Sequence, residues 1–303
     1  MNRPRSASPA LAALLERAVD YAGLFPPAKL GMEAAIRAYA DYRADPDAWM
    51  LGRFVVPASR LEEFEQEGAA LLPGSAASSW ALSALVGADV ELDAHSIERF
   101  NDRHRSVRHG AVHVDTVELK AASLDDVRRA DEFVGGFDAF IEVPVADDPE
   151  PLIAAIAGIG AKAKIRTGGV TPDAIPQAPH VVRFLRRCVQ QDVAFKATAG
   201  LHHPIRAEYP LAYEPGAPRG VLYGFLNVLL AAAFVRLGRD DATALQLLLE
   251  QDASAIRVAG DGVEWQGHAI SAEQLRAARH DAVAFGSCSF REPVDELRSL
   301  GIL

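Results

Sequence analysis

The sequence predicts an α/β protein, a (βα)8 TIM barrel with an α/β-hairpin insertion between its seventh and eighth strands. Three observations predict it. Eight apolar runs of strand length are spaced along the chain, amphipathic runs lie between them, and no Gly-rich turn follows the first strand, as an open doubly wound sheet would more often show. Eight parallel strands close into a barrel filled by side chains. The 303 residues suit one such domain, 1–303, with 204–282 as an elaboration within it.

The strands are predicted in order at 18–25, 52–57, 80–86, 112–119, 139–145, 162–166, 193–198 and 283–287. Ahead of the first, 10–15 is apolar and runs into Glu16 and Arg17, as an amphipathic helix does. Between strands, 32–43 carries Ala, Ile and Tyr at helical spacing, and 61–72 follows Ser59, a candidate N-cap. The run 124–134 follows Ser123 and has Asp125 and Asp126 in its first turn, where the helix dipole favours them. Helices at 151–159 and 180–190 complete the set, and another is expected to begin near Arg291.

About eighty residues separate the seventh and eighth strands, too many for a simple connection. A Pro/Gly-rich loop at 204–220 leads to an apolar helix at 221–237, a second helix at 242–251, and a hairpin at 255–270 around Gly260-Asp261-Gly262. This elaboration is read as a lid or an oligomer contact. An apolar face on 221–237 would suit a homo-oligomer, and burial against the barrel would suit it equally.

Composition removes several classes. The longest apolar stretch, 222–234, is too short for a membrane span and contains Asn227. The start, 1–9, is polar and lacks a secretory pattern, so the chain is read as cytoplasmic. Two cysteines, Cys188 and Cys288, make neither a disulfide framework nor a cysteine zinc site. A net charge of −10 without a dense basic tract argues against nucleic acid, and the cluster 103–108 is a solvated helix end. The expected partner is a small-molecule substrate, with no cofactor and no metal assigned.

Barrel active sites lie at the C-terminal ends of the strands. The sixth strand ends Lys164-Ile165-Arg166-Thr167-Gly168, and alternation puts Lys162, Lys164 and Arg166 on one face. The seventh ends Lys196-Ala197-Thr198-Ala199-Gly200, followed by His202 and His203, and the eighth ends Gly286-Ser287-Cys288. Asp20, Glu118 and Glu142 sit on the first, fourth and fifth. A mid-strand lysine is unusual because burying an ammonium is costly. Two on adjacent strands would each disfavour the other's protonated form, and a neutral lysine amine attacks carbonyls. The bland reading pairs each lysine with Glu118 or Glu142 as a structural ion pair. Gly168, Gly200 and Gly286 with Ser287 suit a phosphate or other anion, or simply tight turns.

These strand ends resemble the deoxyribose-phosphate aldolase family. Lys164–Gly168 resembles that family's Lys-Thr-Ser-Thr-Gly strand, and Lys196–Gly200 its next strand, where a second lysine precedes a Gly-rich turn. Phe285-Gly286-Ser287 resembles its last strand, Val19–Leu24 its opening segment, and Phe140-Ile141-Glu142 its fifth. The resemblance implies a class I aldolase: Lys164 as Schiff-base nucleophile, Lys196 lowering its pKa, Glu118 shuttling protons. Asp20, Glu142, Arg166, Thr167, Thr198, His202, His203 and Cys288 would contact substrate. Arg166 stands where the family has a small hydroxyl residue, and an arginine there would bind a carboxylate, so a keto acid is an expected substrate.

Two other readings stay open. A metal-dependent lyase or hydrolase would draw ligands from Glu118, Glu142, His202 and His203. Adjacent histidines in extended chain point opposite ways, so only one of the pair would bind. A barrel that has lost its chemistry would persist as a small-molecule binder. Cys288, ahead of a helix start, is a further candidate nucleophile if the helix N-terminus lowers its pKa.

Overall fold

A computed structural model describes residues 7–303. The polar start over which no secretory pattern is expected lies mostly outside the described residues. The barrel strands are β1 (Val19–Tyr21), β2 (Leu51–Pro57), β3 (Trp80–Leu85), β4 (Val112–Lys120), β5 (Asp138–Glu142), β6 (Lys162–Arg166), β7 (Phe195–Thr198) and, after the elaboration, β13 (Ala282–Ser287). All pair in parallel, and β1 bonds to both β2 and β13, so the sheet is a closed eight-stranded barrel. The predicted fold class stands.

Helices alternate with these strands: α1 (Pro9–Leu15) precedes β1, then α2 (Met32–Ala44), α3 (Leu61–Gly68), α4 (Val90–His104), α5 (Leu124–Val134), α6 (Glu150–Gly158) and α7 (Ala178–Gln190) follow β1 to β6. Local signals set several ends. Ser123 and Asp126 form a reciprocal capping box at α5, and Ser8 caps α1. Asp89 caps α4, a full helix where only a helix end at 103–108 is expected. The first strand is shorter than predicted, because the chain turns away from the sheet after Tyr21.

Strand alternation divides the sheet's residues. On β2, Phe54 packs outward against Tyr39 of α2 and Phe64 of α3, while Arg53 turns inward to Asp115. On β4 one extra residue, Asp115, stands between the partners of Leu82 and Ser83. This bulge lets Asp115 and Glu118, three residues apart, both find interior partners.

The elaboration is partly barrel. The expected loop at 204–220 contains β8 (Ala207–Pro210), which pairs with β9 (Arg219–Leu222) as a hairpin beside the strand ends. The apolar helix α8 therefore begins later, at Phe225, and runs to Arg236. It packs on α7 and β13 and so supplies the ordinary crossover helix between β7 and β13. Phe225–Val235 is buried within the chain, which answers the expected exposed face: it covers the barrel. Asn227 on α8 accepts from the backbone of Arg206 and donates to carbonyls of Leu247 and Glu250. It ties the loop after β7 to α9 (Asp241–Leu248). The predicted hairpin gains a third strand, giving β10 (Ile256–Ala259), β11 (Gly262–Trp265) and β12 (His268–Ser271). This sheet leads into α10 (Ala272–Ala278), which packs on α1, and α11 (Arg291–Ser299) closes the chain. No helix among the described residues is long and apolar enough to cross a membrane.

Candidate active site

A cavity of about 240 Å³ opens at the C-terminal ends of the strands. Lys164, Lys196, Glu118, Arg166, Thr198, Gly200, His202, His203, Gly286 and Cys288 line it. A larger hollow of about 820 Å³ lies among α1, the start of β2 and Arg276, and contains none of these lysines.

At the cavity floor the two lysines meet through a carboxylate. Glu118 Oε2 is 2.8 Å from Lys164 Nζ, and Glu118 Oε1 is 2.6 Å from Lys196 Nζ. Ser83 donates to the same Oε1 at 2.6 Å. Lys196 also pairs with Asp20 at 2.6 Å, and Lys164 with Glu142 at 3.0 Å. Asp20 is held from behind by the Arg53 N–H at 2.7 Å. Three carboxylates therefore face two ammoniums, and Arg166 reaches Glu142 at 3.5 Å from the rim. Lys162 shares the inward face as expected but sits a layer lower, paired with Asp138 and separated from Lys196 by the Phe140 ring.

This arrangement overturns one expectation. Mutual repulsion was to depress both lysines, but burial, which does favour neutral Lys196, is outweighed by Asp20 and Glu118, and its pKa is raised. Burial likewise opposes ionisation of Glu118, yet Lys164 and Lys196 hold its carboxyl well below the usual range. The same balance lowers Glu142, chiefly through Lys164. Geometry also distinguishes the lysines. The Lys196 side chain is fully buried between its two carboxylates, while Lys164 is 5% exposed and has the longer contacts.

Other predicted residues divide. Asp20 and Glu142 hold the lysines and do not line the cavity. Thr167 does not reach it either: its hydroxyl donates to the carbonyls of Thr198 and Ala199, tying β6 to β7. Gly168 and Gly200 pack backbone to backbone, and a Cβ on either would also press on Leu222 of β9. Ser287 donates to the Ser289 carbonyl. Of the expected anion cradle, Gly200 and Gly286 line the cavity, while Leu222 packs near Gly168 and Gly200 and the Ser287 hydroxyl is engaged.

The histidines point apart, as expected. His203 stacks on Tyr209 and bonds to Glu296 at 2.7 Å. His202 is buried, and burial lowers its pKa to about 4, so its imidazole is neutral. Its Nδ1 lies 3.2 Å from Ser287 Oγ and 3.5 Å from Cys288 Sγ. The metal set Glu118, Glu142, His202 and His203 is not assembled, since the lysines occupy both glutamates and His203 turns to Glu296. The expected low thiol pKa is also corrected: burial pushes Cys288 up to about 11. Ser83, Arg53, Tyr213 and Glu292 were missed. A lone serine inside strand β3 was the one available signal; the other three act through partners remote in sequence.

No family model matches the chain, and no curated protein does. Among solved structures, a lysine/ornithine decarboxylase from Vibrio vulnificus, complexed with cadaverine, is similar at 12% identity and a TM-score of 0.38. The match covers 62% of this chain and 47% of that one, so the chain spans less than half the length of that protein. The closed barrel is established by its own strand pairing.

Proposed function

We propose that the chain is a class I, Schiff-base lyase of aldolase type acting on a small carbonyl compound, with Lys164 as nucleophile. One observation carries this reading: Lys164 opens to a small cavity while sharing a buried carboxylate with a second, fully buried ammonium. The two amines are unequal: Lys196 is fully buried between Asp20 and Glu118 at 2.6 Å, whereas Lys164 makes longer contacts at 2.8 and 3.0 Å, and this assigns the attack to Lys164.

In the reaction, Lys164 gives up a proton to Glu142 or to water and its nitrogen bonds to the carbonyl carbon. The carbonyl oxygen takes two protons, one from the attacking nitrogen and the one Lys164 first gave up, and leaves as water, which gives the protonated imine. Cleavage of the neighbouring C–C bond sends its electron pair into the iminium, the β-hydroxyl proton passes to a base, and the hydroxyl-bearing fragment leaves as an aldehyde or ketone. Protonation of the enamine and hydrolysis restore the lysine. Lys196 keeps Glu118 ionised throughout its resting state and supplies fixed positive charge beside the reacting nitrogen. Arg166, half exposed and weakly paired, suits a carboxylate or phosphate on the substrate.

The test is turnover on a panel of aldehydes and 2-keto acids. Borohydride should inactivate the protein only when a substrate is present, and Lys164→Met should be inactive while folded. Inactivation without regard to substrate, or full activity in Lys164→Met, would overturn the reading.

A further inference from the structure

A second group of side chains stands on the cavity wall and takes no part in the lysine network. His202 comes from the loop after β7, Cys288 follows β13, and Glu292 lies in the first turn of α11. Their donor atoms all fall within 4.8 Å of one another. His202 Nδ1 is 3.5 Å from Cys288 Sγ and 3.8 Å from Glu292 Oε2. A tetrahedral ion with bonds of about 2.0–2.3 Å needs ligand atoms about 3.3–3.6 Å apart. The two separations from His202 come close to that, and Cys288 and Glu292 lie within 4.8 Å of each other, so a movement of the Glu292 carboxylate toward the thiol completes the set.

We propose that His202, Cys288 and Glu292 form a three-ligand site for one borderline transition-metal cation, zinc being the type ion, with its fourth position open to the cavity. The donors decide the class. A thiolate with an imidazole suits zinc, cobalt or iron and is foreign to magnesium or calcium, which take oxygen. Three protein ligands of mixed type with one position free is the pattern of zinc sites that bind substrate. Glu292 is available for this role. Among the described residues no lysine or arginine pairs with it, in contrast to Glu118 and Glu142. It is also positioned: Tyr213, from the turn between β8 and β9, donates to Glu292 Oε2 at 2.8 Å, and the Glu292 N–H donates to Ser289 Oγ. Tyr213 Oη lies 3.3 Å from Cys288 Sγ as well, so the hairpin closes over the same three groups. A cation here would bind a carbonyl, hydroxyl or carboxylate oxygen of a small molecule entering the cavity.

The inference does not depend on Schiff-base chemistry, and its test reads binding. The chelator-stripped full chain is titrated with Zn2+ against a chromophoric indicator, and with Co2+ while thiolate-to-cobalt absorption is followed. One equivalent is expected, with the cobalt band present. Cys288→Ser should lose the band, and Cys288→Ser, His202→Gln and Glu292→Gln should bind Zn2+ at least about tenfold more weakly. Cys188→Ser, His203→Gln and Lys164→Met should keep the wild-type equivalent. Should Cys288→Ser fail to fold, Glu292→Gln, altered at a partly exposed helix start, carries the test. No saturable equivalent, or wild-type affinity in Glu292→Gln, overturns the proposal; so does loss of metal in Lys164→Met.

Discussion

Glu118 is the residue on which the site turns. Its two oxygens serve Lys164, Lys196 and Ser83, none of which is near it in sequence. Glu118→Gln leaves both ammoniums short of a carboxylate in a buried setting, a change that costs about 3–5 kcal/mol when one partner of a buried ion pair is removed. The pH dependence follows from the direction of each shift. The folded pKa of Glu118 lies below its ordinary 4.5, so its stabilisation is present above 4.5 and is lost as pH falls through the lower folded value. Lys196 is raised above 10.5, so its contribution is present below 10.5 and is lost as pH rises through the higher folded value. Denaturant unfolding at several pH values should show wild-type stability declining on both sides of that window, with a shallower acid decline in Glu118→Gln. An equally steep decline in the variant would mean that other carboxylates govern it.

At the scale of elements, strand ends and close approaches hold these residues in place. Gly52 of β2 is an example. A Cβ there would overlap Asp20 Oδ1, the oxygen that accepts from the Arg53 N–H. Gly52→Ala should push Asp20 off Lys196 and cost about 1–3 kcal/mol as overpacking, whereas Gly74→Ala, in a loop, meets open space and should be near neutral. Equal melting temperatures for the two variants would contradict the role given to Asp20. Elements with local signals were legible: α5, with its capping box, falls on the predicted residues, and β6 does too. Elements lacking such signals were not. The β8–β9 hairpin reads as loop because Pro and Gly dominate it, and the bulge at Asp115 leaves no mark in the apolar pattern.

Across the whole molecule, barrel closure brings residues from β1, β4, β5, β6 and β7 to one point. Strand count and alternation made the barrel legible, and the strand-end rule placed Lys164, Lys196 and Glu118 in one cavity. Pairing of the lysines with Glu118 or Glu142 was legible and is what the structure shows; that the one Glu118 carboxylate serves both lysines and that Asp20 joins it was not, because which charges pair depends on how far each side chain reaches across the interior. The grouping of His202 with Cys288 and Glu292 was hidden for the same reason, being made by chain segments over eighty residues apart. The connection from β7 to β13 depends similarly on Asn227, buried and bonded at both ends of its amide. Asn227→Leu leaves those backbone groups unpaired and should cost at least about 2 kcal/mol, read as a lower denaturation midpoint. A midpoint unchanged from wild type would show that the elaboration holds without it.

Lys164, and not Lys196, is the proposed carrier of the carbonyl. This assignment is tested most directly by reducing the protein with borohydride in the presence of an accepted aldehyde or keto acid and mapping the modified peptide by mass. A single adduct on Lys164 is expected, absent from Lys164→Met. An adduct on Lys196, or turnover of the same compound with no adduct at all, would contradict it.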